Sequence, residues 1–202
     1  MSNNHATLEQ AMPFLNAFKY FYQINKATAQ FFIQNTYPIK LKKGEMLHEA
    51  GVVCNHIYFI TNGAIRGFIK NDDKEKITWI SVENEMVTSI YSYYMQLPSI
   101  ENMDAIEDCE MLSMTHEKLN LLYELEPSTN VLVRRILEKY YADSEMRAVI
   151  SRLSKAETKY DFFLTKYSHL ANRIPLTHIA SFLGINLETL SRVRSKRAAG
   201  KK

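Results

Sequence analysis

The feature that most constrains the fold is a change of hydrophobic period along the chain. Between residues 37 and 114, short β-prone runs alternate with turn signals, whereas the segments on both sides have helical spacing. Short strands at such even spacing favour an antiparallel barrel or roll. The sequence therefore predicts an α+β chain in which helices flank one antiparallel β-roll. The predicted strands are Tyr37–Leu41, His56–Thr61, Ala64–Ile69, Lys76–Val82, Met103–Ile106 and Glu110–Met114.

Asn62-Gly63 is a turn signal between two of these predicted strands. Both residue types tolerate positive φ, which the two central residues of a tight hairpin require. We therefore expect a hairpin at this point.

Two helices are predicted before the roll. Thr7 followed by Gln10 forms a capping-box pattern, in which the hydroxyl and the amide satisfy N–H groups of the first turn. Apolar residues then recur every three or four positions to about Tyr22, despite Pro13. A second short helix is expected over Thr28–Gln34.

A long helix is predicted from about Ser128 to Arg152. Seven of the eleven positions from Val131 to Tyr141 are apolar, which is more than the three to four per two turns that one stripe holds. We therefore expect two buried faces, one against the β-domain of the same chain and one against the same helix of a second subunit. A central core helix of a monomer stays open as the alternative. The residues predicted at the dimer interface are Val133, Ile136, Leu137, Tyr140 and Tyr141.

The C-terminal quarter of the chain is strongly basic. Residues 151–202 hold 11 Lys and Arg against 3 Asp and Glu, whereas residues 1–150 hold 14 against 19, so that +8 and −5 add to the net +3. This asymmetry suggests a segment that meets a polyanion, although a solvated lysine-rich end would have the same composition. The pattern within the segment has to decide between the two.

The segment from Thr177 to Val193 has the pattern of a helix-turn-helix. Ala180 supplies the small residue where two helices cross, and Gly184 supplies the turn residue that tolerates positive φ. Pro175 suits the entry to the first helix, and Asn186 can cap the second. The residues expected to seal the two helices are Ile179, Leu183, Ile185, Leu190 and Val193.

Helical geometry also predicts what the second helix exposes. With Leu190 and Val193 buried, acidic, hydroxyl and guanidinium side chains share its outer face. Arg pairs with guanine O6 and N7, Glu accepts from cytosine N4, and Ser serves either or leaves room for a thymine methyl. A buried helical hairpin with a charged outer face is the alternative. We predict base contacts by Glu188, Ser191 and Arg192, and phosphate contacts by Thr177, Thr189, Ser195, Lys196 and Arg197, with Arg194, Lys201 and Lys202 as further cations.

The order of these elements resembles the Crp/Fnr family of bacterial transcription regulators over about residues 10–197, most specifically at residues 179–192. The resemblance implies an effector domain at 1–126 with a cyclic-nucleotide-binding-like double-stranded β-helix, a dimerisation helix at 127–152 and a winged-helix-like DNA-binding domain at 153–202. It also implies a homodimer on near-palindromic double-stranded DNA. A small-molecule effector and RNA polymerase are left open as partners.

The reading face is similar to that of Fnr-type members of the family. It consists of Glu188, Ser191 and Arg192, whereas Leu187 stands where members of the cAMP type carry an additional Arg. The operator of the cAMP-type members is therefore not assumed for this chain.

The sequence departs from the family pattern at the ligand motifs and after the reading helix. An ungapped match anchored on residues 108–110 places Thr88-Ser89-Ile90 and Ser99-Ile100 on the two cyclic-nucleotide motifs, without the Arg that would neutralise the phosphate. Glu101 would repel a phosphate, so we expect no binding of cAMP or cGMP. Residues 198–202 are too few for the usual two-stranded wing, so either the basic tail replaces the wing's phosphate contacts or the chain ends before it.

No catalytic, metal or cofactor pattern occurs in the sequence, so we expect a protein that is not an enzyme and assign it no cofactor. Two cysteines, Cys54 and Cys109, are too few for a disulfide scaffold, which fits the reducing cytoplasm. They are also too few for an iron–sulfur cluster, which usually takes four Cys ligands. Haem needs only one histidine, and His48, His56 and His116 are weighed for it against ordinary strand or surface positions. No stretch reaches the ~18 apolar residues of a membrane span.

Two further interpretations stay open at this level. The series Tyr91, Tyr93 and Tyr94 either lines a pocket in the roll or packs against the long helix. The alternative to a DNA-binding regulator is a sensor that binds a ligand or a partner and whose helical C-terminal domain does not read DNA.

Overall fold

The computed structural model describes residues 5–72 and 74–199. The chain divides into two compact units: unit 1 runs to residue 69 and from 79 to 138, and unit 2 consists of residues 70–78 and those from 139 onward. This division cuts the long helix between residues 138 and 139, so the domain boundaries at 126 and 152 stay a prediction. None of the helices in the described ranges is long and apolar enough to cross a membrane.

Two helices precede the roll, as predicted: α1 (Leu8–Phe21) and α2 (Lys26–Asn35). The Thr7 hydroxyl accepts from the Gln10 N–H at 3.3 Å, and the Gln10 side chain accepts from the Thr7 N–H at 2.9 Å. The predicted capping box is therefore confirmed.

Aromatic side chains attach these two helices to the roll. Phe14 of α1 packs edge-to-face on Phe32 of α2 and on Phe59, with ring centroids 4.7 and 5.2 Å apart. All three residues are buried, so the helices close one side of the hydrophobic core of unit 1.

Two four-stranded sheets form the predicted roll. The strands are β1 (Tyr37–Leu41), β2 (Met46–His48), β3 (His56–Asn62), β4 (Ile65–Asn71), β5 (Lys74–Ser81), β6 (Met86–Val87), β7 (Asn102–Ala105) and β8 (Cys109–Thr115). Their orders are β1-β8-β3-β6 and β2-β7-β4-β5. The six predicted strands are confirmed to within two residues at each end, whereas β2 and β6 are too short to show a period.

The prediction of a tight hairpin at Asn62-Gly63 is wrong. The two strands that this turn joins, β3 and β4, lie in different sheets. Only Gly63 has positive φ, at +102°, and its N–H donates to the Glu83 carboxylate at 2.8 Å. A Cβ at Gly63 would lie 2.6 Å from the Asp108 carbonyl oxygen. The glycine therefore carries the chain from one sheet to the other past the start of β8, rather than back along its own sheet.

The core of the roll contains a close contact between Gly67 and Trp79. A Cβ at Gly67 would lie 2.2 Å from Cε2 of the indole, so the ring occupies the space that any side chain at 67 would need. Trp79 packs against a buried cluster formed by Cys54, Tyr58, Ile60, Ile65, Val87, Met103, Ala105, Cys109 and Met111.

Three helices follow in the second half of unit 1: α3 (Ile90–Met95), α4 (His116–Leu125) and α5 (Thr129–Arg152), which continues into unit 2. α3 and α4 were not predicted from the sequence. The long helix was predicted, and its observed start and end lie within one residue of the predicted 128 and 152.

Unit 2 contains α6 (Ala156–Tyr167), a short 3-10 helix (Ser168–Leu170), α7 (Leu176–Leu183) and α8 (Leu187–Ala199). Its core is aromatic on one side, where Phe163 of α6 is buried and packs edge-to-face on Phe182 of α7 at 6.0 Å. α7 and α8 are the two helices of the predicted helix-turn-helix.

Candidate nucleic-acid interface

The turn between α7 and α8 has the predicted geometry. Gly184 has φ +62° and ψ +38°, the left-handed conformation that ends α7. Pro175 stands at the entry to α7, and the Asn186 side chain accepts from the Thr189 N–H at 2.7 Å and so caps α8. The predicted turn glycine and cap are therefore confirmed.

Apolar side chains join the two helices. The side chains of Ile179, Leu183 and Leu190 are fully buried. The small Ala180 lets the backbone after the turn come close to α7, where the Ala180 carbonyl accepts from the Ile185 N–H at 3.0 Å. Val193 is also buried, and Ile185 is half-buried. Because the apolar side of α8 is buried, the opposite side of the helix is exposed to solvent.

All three residues predicted to read bases lie on that outer side. Glu188, Ser191 and Arg192 are exposed, and so is Ser195 one turn further along. Arg192 Nη2 lies 3.4 Å from the Thr189 hydroxyl, and Thr189 is half-buried. The structure thus brings an acceptor, a hydroxyl and a guanidinium together on one exposed helix face.

The residues predicted to contact phosphates have different surroundings. Thr177 is exposed in the first turn of α7. Lys196 and Arg197 are exposed but form ion pairs with acidic residues of α6: Lys196 Nζ lies 3.8 Å from Glu157, and Arg197 pairs with Asp161. Exposed pairs of this kind are worth about 0–1 kcal/mol, so a phosphate can replace the carboxylates at small cost.

Arg194, which the sequence suggests as a further cation for phosphates, makes hydrogen bonds within the protein. Its guanidinium donates to the Ala171 carbonyl at 2.9 Å and to the Asn172 side chain at 3.1 Å. The side chain therefore holds the segment before α7 against α8. The other two predicted cations, Lys201 and Lys202, lie outside the residues that the structure describes.

A buried lysine that sequence reasoning missed supports the turn. Lys159 of α6 is 6% exposed, and its ammonium donates to the Leu183 carbonyl at 2.9 Å and to the Ser151 carbonyl at 3.2 Å. It thus satisfies carbonyls at the C-terminal ends of α7 and α5. The sequence offers no signal for this role, because a lysine within a helix is most often exposed.

The segment that the family comparison placed at the two nucleotide motifs forms a buried network of hydroxyl groups. Ser89 and Ser99 lie in hydrogen-bond contact at 2.9 Å. The Ser99 hydroxyl also donates to the Glu101 carbonyl at 2.9 Å and accepts from the Glu101 N–H at 3.0 Å. Both serines are less than 5% exposed, so the fold itself satisfies these hydroxyls.

A second part of the same network surrounds Cys54. Ser92 accepts from the Cys54 N–H at 2.8 Å and donates to the Leu97 carbonyl. The Cys54 thiol lies 3.3 Å from the Thr88 hydroxyl, which donates to the His56 carbonyl at 2.9 Å. The loop around α3 is therefore held by its own short polar side chains.

Of the three tyrosines at 91, 93 and 94, one is buried and two are exposed. Tyr93 is 1% exposed, and its ring packs edge-to-face on His116 at 5.0 Å and on Tyr94 at 5.2 Å. Burial raises the pKa of Tyr93 well above its ordinary value, so its hydroxyl stays neutral. Tyr91 and Tyr94, by contrast, point a large part of their rings to solvent.

The three histidines weighed as haem ligands lie apart in the sheets and at the start of α4. Burial lowers the pKa of both His48 and His56, and His56 stacks on Tyr58 at 5.9 Å. Within residues 5–72 and 74–199, no three His, Cys, Asp or Glu side chains lie close enough together to hold a metal ion. Cys54 and Cys109 are both buried thiols.

Comparison with known proteins first defines the class of the β-roll. Residues 38–125 match the family model of the cyclic nucleotide-binding domain, and this range runs from the second residue of β1 to the end of α4. This match confirms the fold class predicted for the roll, although the name of the family does not by itself show that a nucleotide binds here.

One curated protein is similar to a longer part of the chain. The anaerobic regulatory protein of Haemophilus influenzae is 26% identical over 165 residues, which is 76% of this chain and 63% of that protein. The chain thus spans less than two thirds of the length of this curated relative.

Solved structures show the same fold over most of both chains. The c-di-GMP-responsive global regulator of Xanthomonas campestris has a TM-score of 0.68 at 16% identity, covering 88% of this chain and 93% of that one. A regulator of the Crp/Fnr family from Eubacterium rectale has a TM-score of 0.68 at 16% identity, covering 92% and 89%. The predicted resemblance to the Crp/Fnr family is therefore confirmed.

Proposed function

We propose that the chain is a transcription regulator that binds DNA sequence-specifically as a homodimer. The observation that carries the proposal is the outer face of α8, where Glu188, Ser191 and Arg192 are exposed on a helix whose other side is sealed against α7. The regulatory relatives named above support the same function.

The chemistry of this face suits base edges in the major groove. Arg192 supplies paired donors for guanine O6 and N7, and Glu188 supplies an acceptor for cytosine N4. Ser191 is small enough to let the helix approach. Because the buried Leu190 lies between them in the sequence, α8 cannot turn these side chains away without opening its contact with α7.

Phosphate contacts would then set register and affinity rather than sequence preference. Thr177 near the start of α7 and Ser195 near the end of α8 offer exposed hydroxyls. Lys196 and Arg197 offer cations that are engaged only in weak surface ion pairs. On binding, Lys196 would exchange its ion pair with Glu157 for a contact with a DNA phosphate. Phosphates recur along the whole duplex.

The face of α5 left exposed in one chain supports the homodimer. Val133, Leu137 and Tyr140 recur at the spacing of a coiled-coil seam, and Tyr141 lies beside them. Leu137 and Tyr141 are exposed, whereas Val133 and Tyr140 are half-buried. Ile136, which was predicted at the same interface, is 6% exposed in the single chain and contributes to its own core. The seam that we propose therefore consists of Val133, Leu137, Tyr140 and Tyr141.

The effector domain of this regulator is proposed not to bind cAMP or cGMP. Ser89 and Ser99 match the ligand motifs, and their hydroxyls are hydrogen-bonded to each other. The Ser99 hydroxyl is also hydrogen-bonded to the Glu101 backbone. The matched motif segments contain no arginine to neutralise a phosphate. Titration with either nucleotide in a calorimeter should give no binding heat at micromolar concentration, and a saturable heat would contradict this part of the proposal.

The central experiment is selection of duplexes from a random pool, followed by binding assays on selected and random DNA. Arg192→Ala should cost about 1–3 kcal/mol on the selected site and relax the preference at one base pair. Arg134→Ala, which removes an exposed cation from α5, is the matched control and should keep full discrimination. An equal loss on all sequences for Arg192→Ala would refute base reading, and equal wild-type affinity for all sequences would favour the sensor that does not read DNA.

A further inference from the structure

The ammonium group of Lys159 joins three helices of unit 2. Lys159 belongs to α6 and is 6% exposed, and its Nζ lies 2.9 Å from the Leu183 carbonyl and 3.2 Å from the Ser151 carbonyl. Leu183 is the last residue of α7, directly before the turn, and Ser151 is the last residue but one of α5. One buried cation therefore connects the end of the long helix with the turn of the helix-turn-helix.

The electrostatics of this contact depend on the positive charge. A helix carries partial negative charge at its C-terminal end, where the last four carbonyls lack intrahelical partners. The ends of α5 and α7 both direct a carbonyl at Lys159 Nζ, so two like partial charges meet there. A cation between them stabilises their approach, whereas an apolar side chain would remove the donor from both carbonyls. The relative position of the two helix ends therefore depends on Lys159.

The surroundings of Lys159 hold α6 in place on both sides. Towards the turn, a Cβ at Gly184 would lie 3.7 Å from Lys159 Nζ, so the ammonium group lies beside the turn itself. Towards the long helix, Lys166 of α6 pairs with Asp143 of α5. The contacts of Lys159 and Lys166 with α5 are in opposite order along the two helices, so α6 turns back alongside the second half of α5.

In a homodimer, this local geometry determines how far apart the two reading faces lie. The proposed seam ends at Tyr141, and about 15 Å of the same helix separates Tyr141 from Ser151 at 1.5 Å per residue. Two copies of α5 paired at the seam would each carry a reading face beyond Ser151. A two-fold symmetric reader needs these faces about 34 Å apart, one turn of DNA. A change of angle at the end of α5 therefore changes the spacing of half-sites that the dimer can bind.

We propose that Lys159 is a positioning residue that sets the half-site spacing of the DNA site. The inference rests on the proposed function and adds to it the residue that determines the geometry of the operator. Arg192 and its neighbours determine which bases are bound, and Lys159 determines the distance between the two groups of bases, although its own side chain is buried.

Binding of the full chain to a series of duplexes tests the proposal. Each duplex carries two inverted copies of the selected half-site, and the spacer between them changes one base pair at a time. The wild type should prefer one spacing over spacers that are two base pairs longer or shorter. Lys159→Met, which removes the charge and keeps an unbranched side chain, should lower this preference about tenfold. Its preference at the base pair that Arg192 contacts should keep the wild-type value.

Lys155→Met is the matched control. Lys155 caps the start of α6, one turn before Lys159, and it is exposed and makes no capping hydrogen bond through its side chain. The control removes the same charge from the same end of α6 and should keep the spacing preference of the wild type. An equal loss of preference in Lys155→Met and Lys159→Met would assign the effect to net charge and overturn the inference.

Lys159→Gln is the second variant, because its amide keeps a donor for one of the two carbonyls without the charge. Far-UV circular dichroism should show the helix content of the wild type, and the spacing preference should fall in the same direction as in Lys159→Met. A folded variant with the spacing preference of the wild type overturns the inference. Loss of the spacing and base preferences together also overturns it, since a lysine that only supports the turn would have this effect.

The wild type separates this inference from the proposed function. Equal wild-type affinity for all sequences overturns the proposed function and the inference with it. The same holds for a wild type that binds one isolated half-site as tightly as the best pair, because such a protein does not read DNA as a homodimer. A sequence-specific wild-type dimer whose spacing preference persists in Lys159→Met overturns the inference alone.

Discussion

The outer face of α8 and the loop around α3 both collect small polar side chains, yet the fold treats them in opposite ways. On α8, Ser191 and Ser195 are exposed beside Arg192. Around α3, Ser89 and Ser99 are buried and paired at 2.9 Å. A polar group is free to bind a ligand only where the fold does not already satisfy it. The comparison therefore favours α8 as a binding surface and the α3 loop as a structural one.

The largest expected effect comes from the apolar support beneath the reading face. Leu190→Ala should destabilise unit 2 by about 2–5 kcal/mol, because it opens a cavity at a fully buried position between α7 and α8. Urea unfolding followed by circular dichroism measures the loss. Leu187→Ala is the control, since Leu187 is 42% exposed on the same helix, and it should change the free energy of unfolding much less. Equal losses would mean that α8 is not held through Leu190.

A smaller effect is expected from the hydroxyl network of the α3 loop. Ser99→Ala should cost about 1–3 kcal/mol, because it removes the hydroxyl that pairs with the buried Ser89 hydroxyl and that accepts from the Glu101 N–H. Chemical unfolding measures the change, with Trp79 fluorescence reporting on unit 1 and circular dichroism on the helices of unit 2. Ser195→Ala should stay within about 0.5 kcal/mol of the wild type, since that serine is exposed. If the two substitutions cost the same, the contrast between the two regions is wrong.

The smallest expected effect on stability concerns the exposed ion pair of Arg197. Arg197→Ala should change the free energy of unfolding by at most about 1 kcal/mol, because the pair with Asp161 is exposed. Its effect on DNA should be uniform over sequences, with the slope of log affinity against log salt reduced by about one. Binding measured over a salt series on selected and random duplexes checks this. A loss confined to one base pair would place Arg197 among the base-reading residues instead.

The sequence predicted the parts of the fold that local patterns control. Thr7 with Gln10 marks a helix start, and Gly184 with Asn186 marks a turn, because each signal acts within a few residues. The outer position of Arg192 followed from helical period alone. These elements needed no information about distant parts of the chain.

The sequence could not predict the features that depend on contacts between residues far apart in the chain. Asn62-Gly63 was assigned to a hairpin, but whether β3 and β4 share a sheet depends on their partners β8 and β7. α3 was missed since it has six residues, less than two turns. Lys159 takes its role from the carbonyls of Leu183 and Ser151, which lie 24 and 8 residues away along the chain.

The contact between Gly67 and Trp79 makes the residues allowed at these two positions depend on each other. Any enlargement at 67 has to displace the indole, because a methyl group there would lie 2.2 Å from the ring. Related sequences that carry a side chain at 67 should therefore carry a smaller residue at 79. At these two positions of the β-roll, a larger residue at 67 is therefore expected only together with a smaller residue at 79.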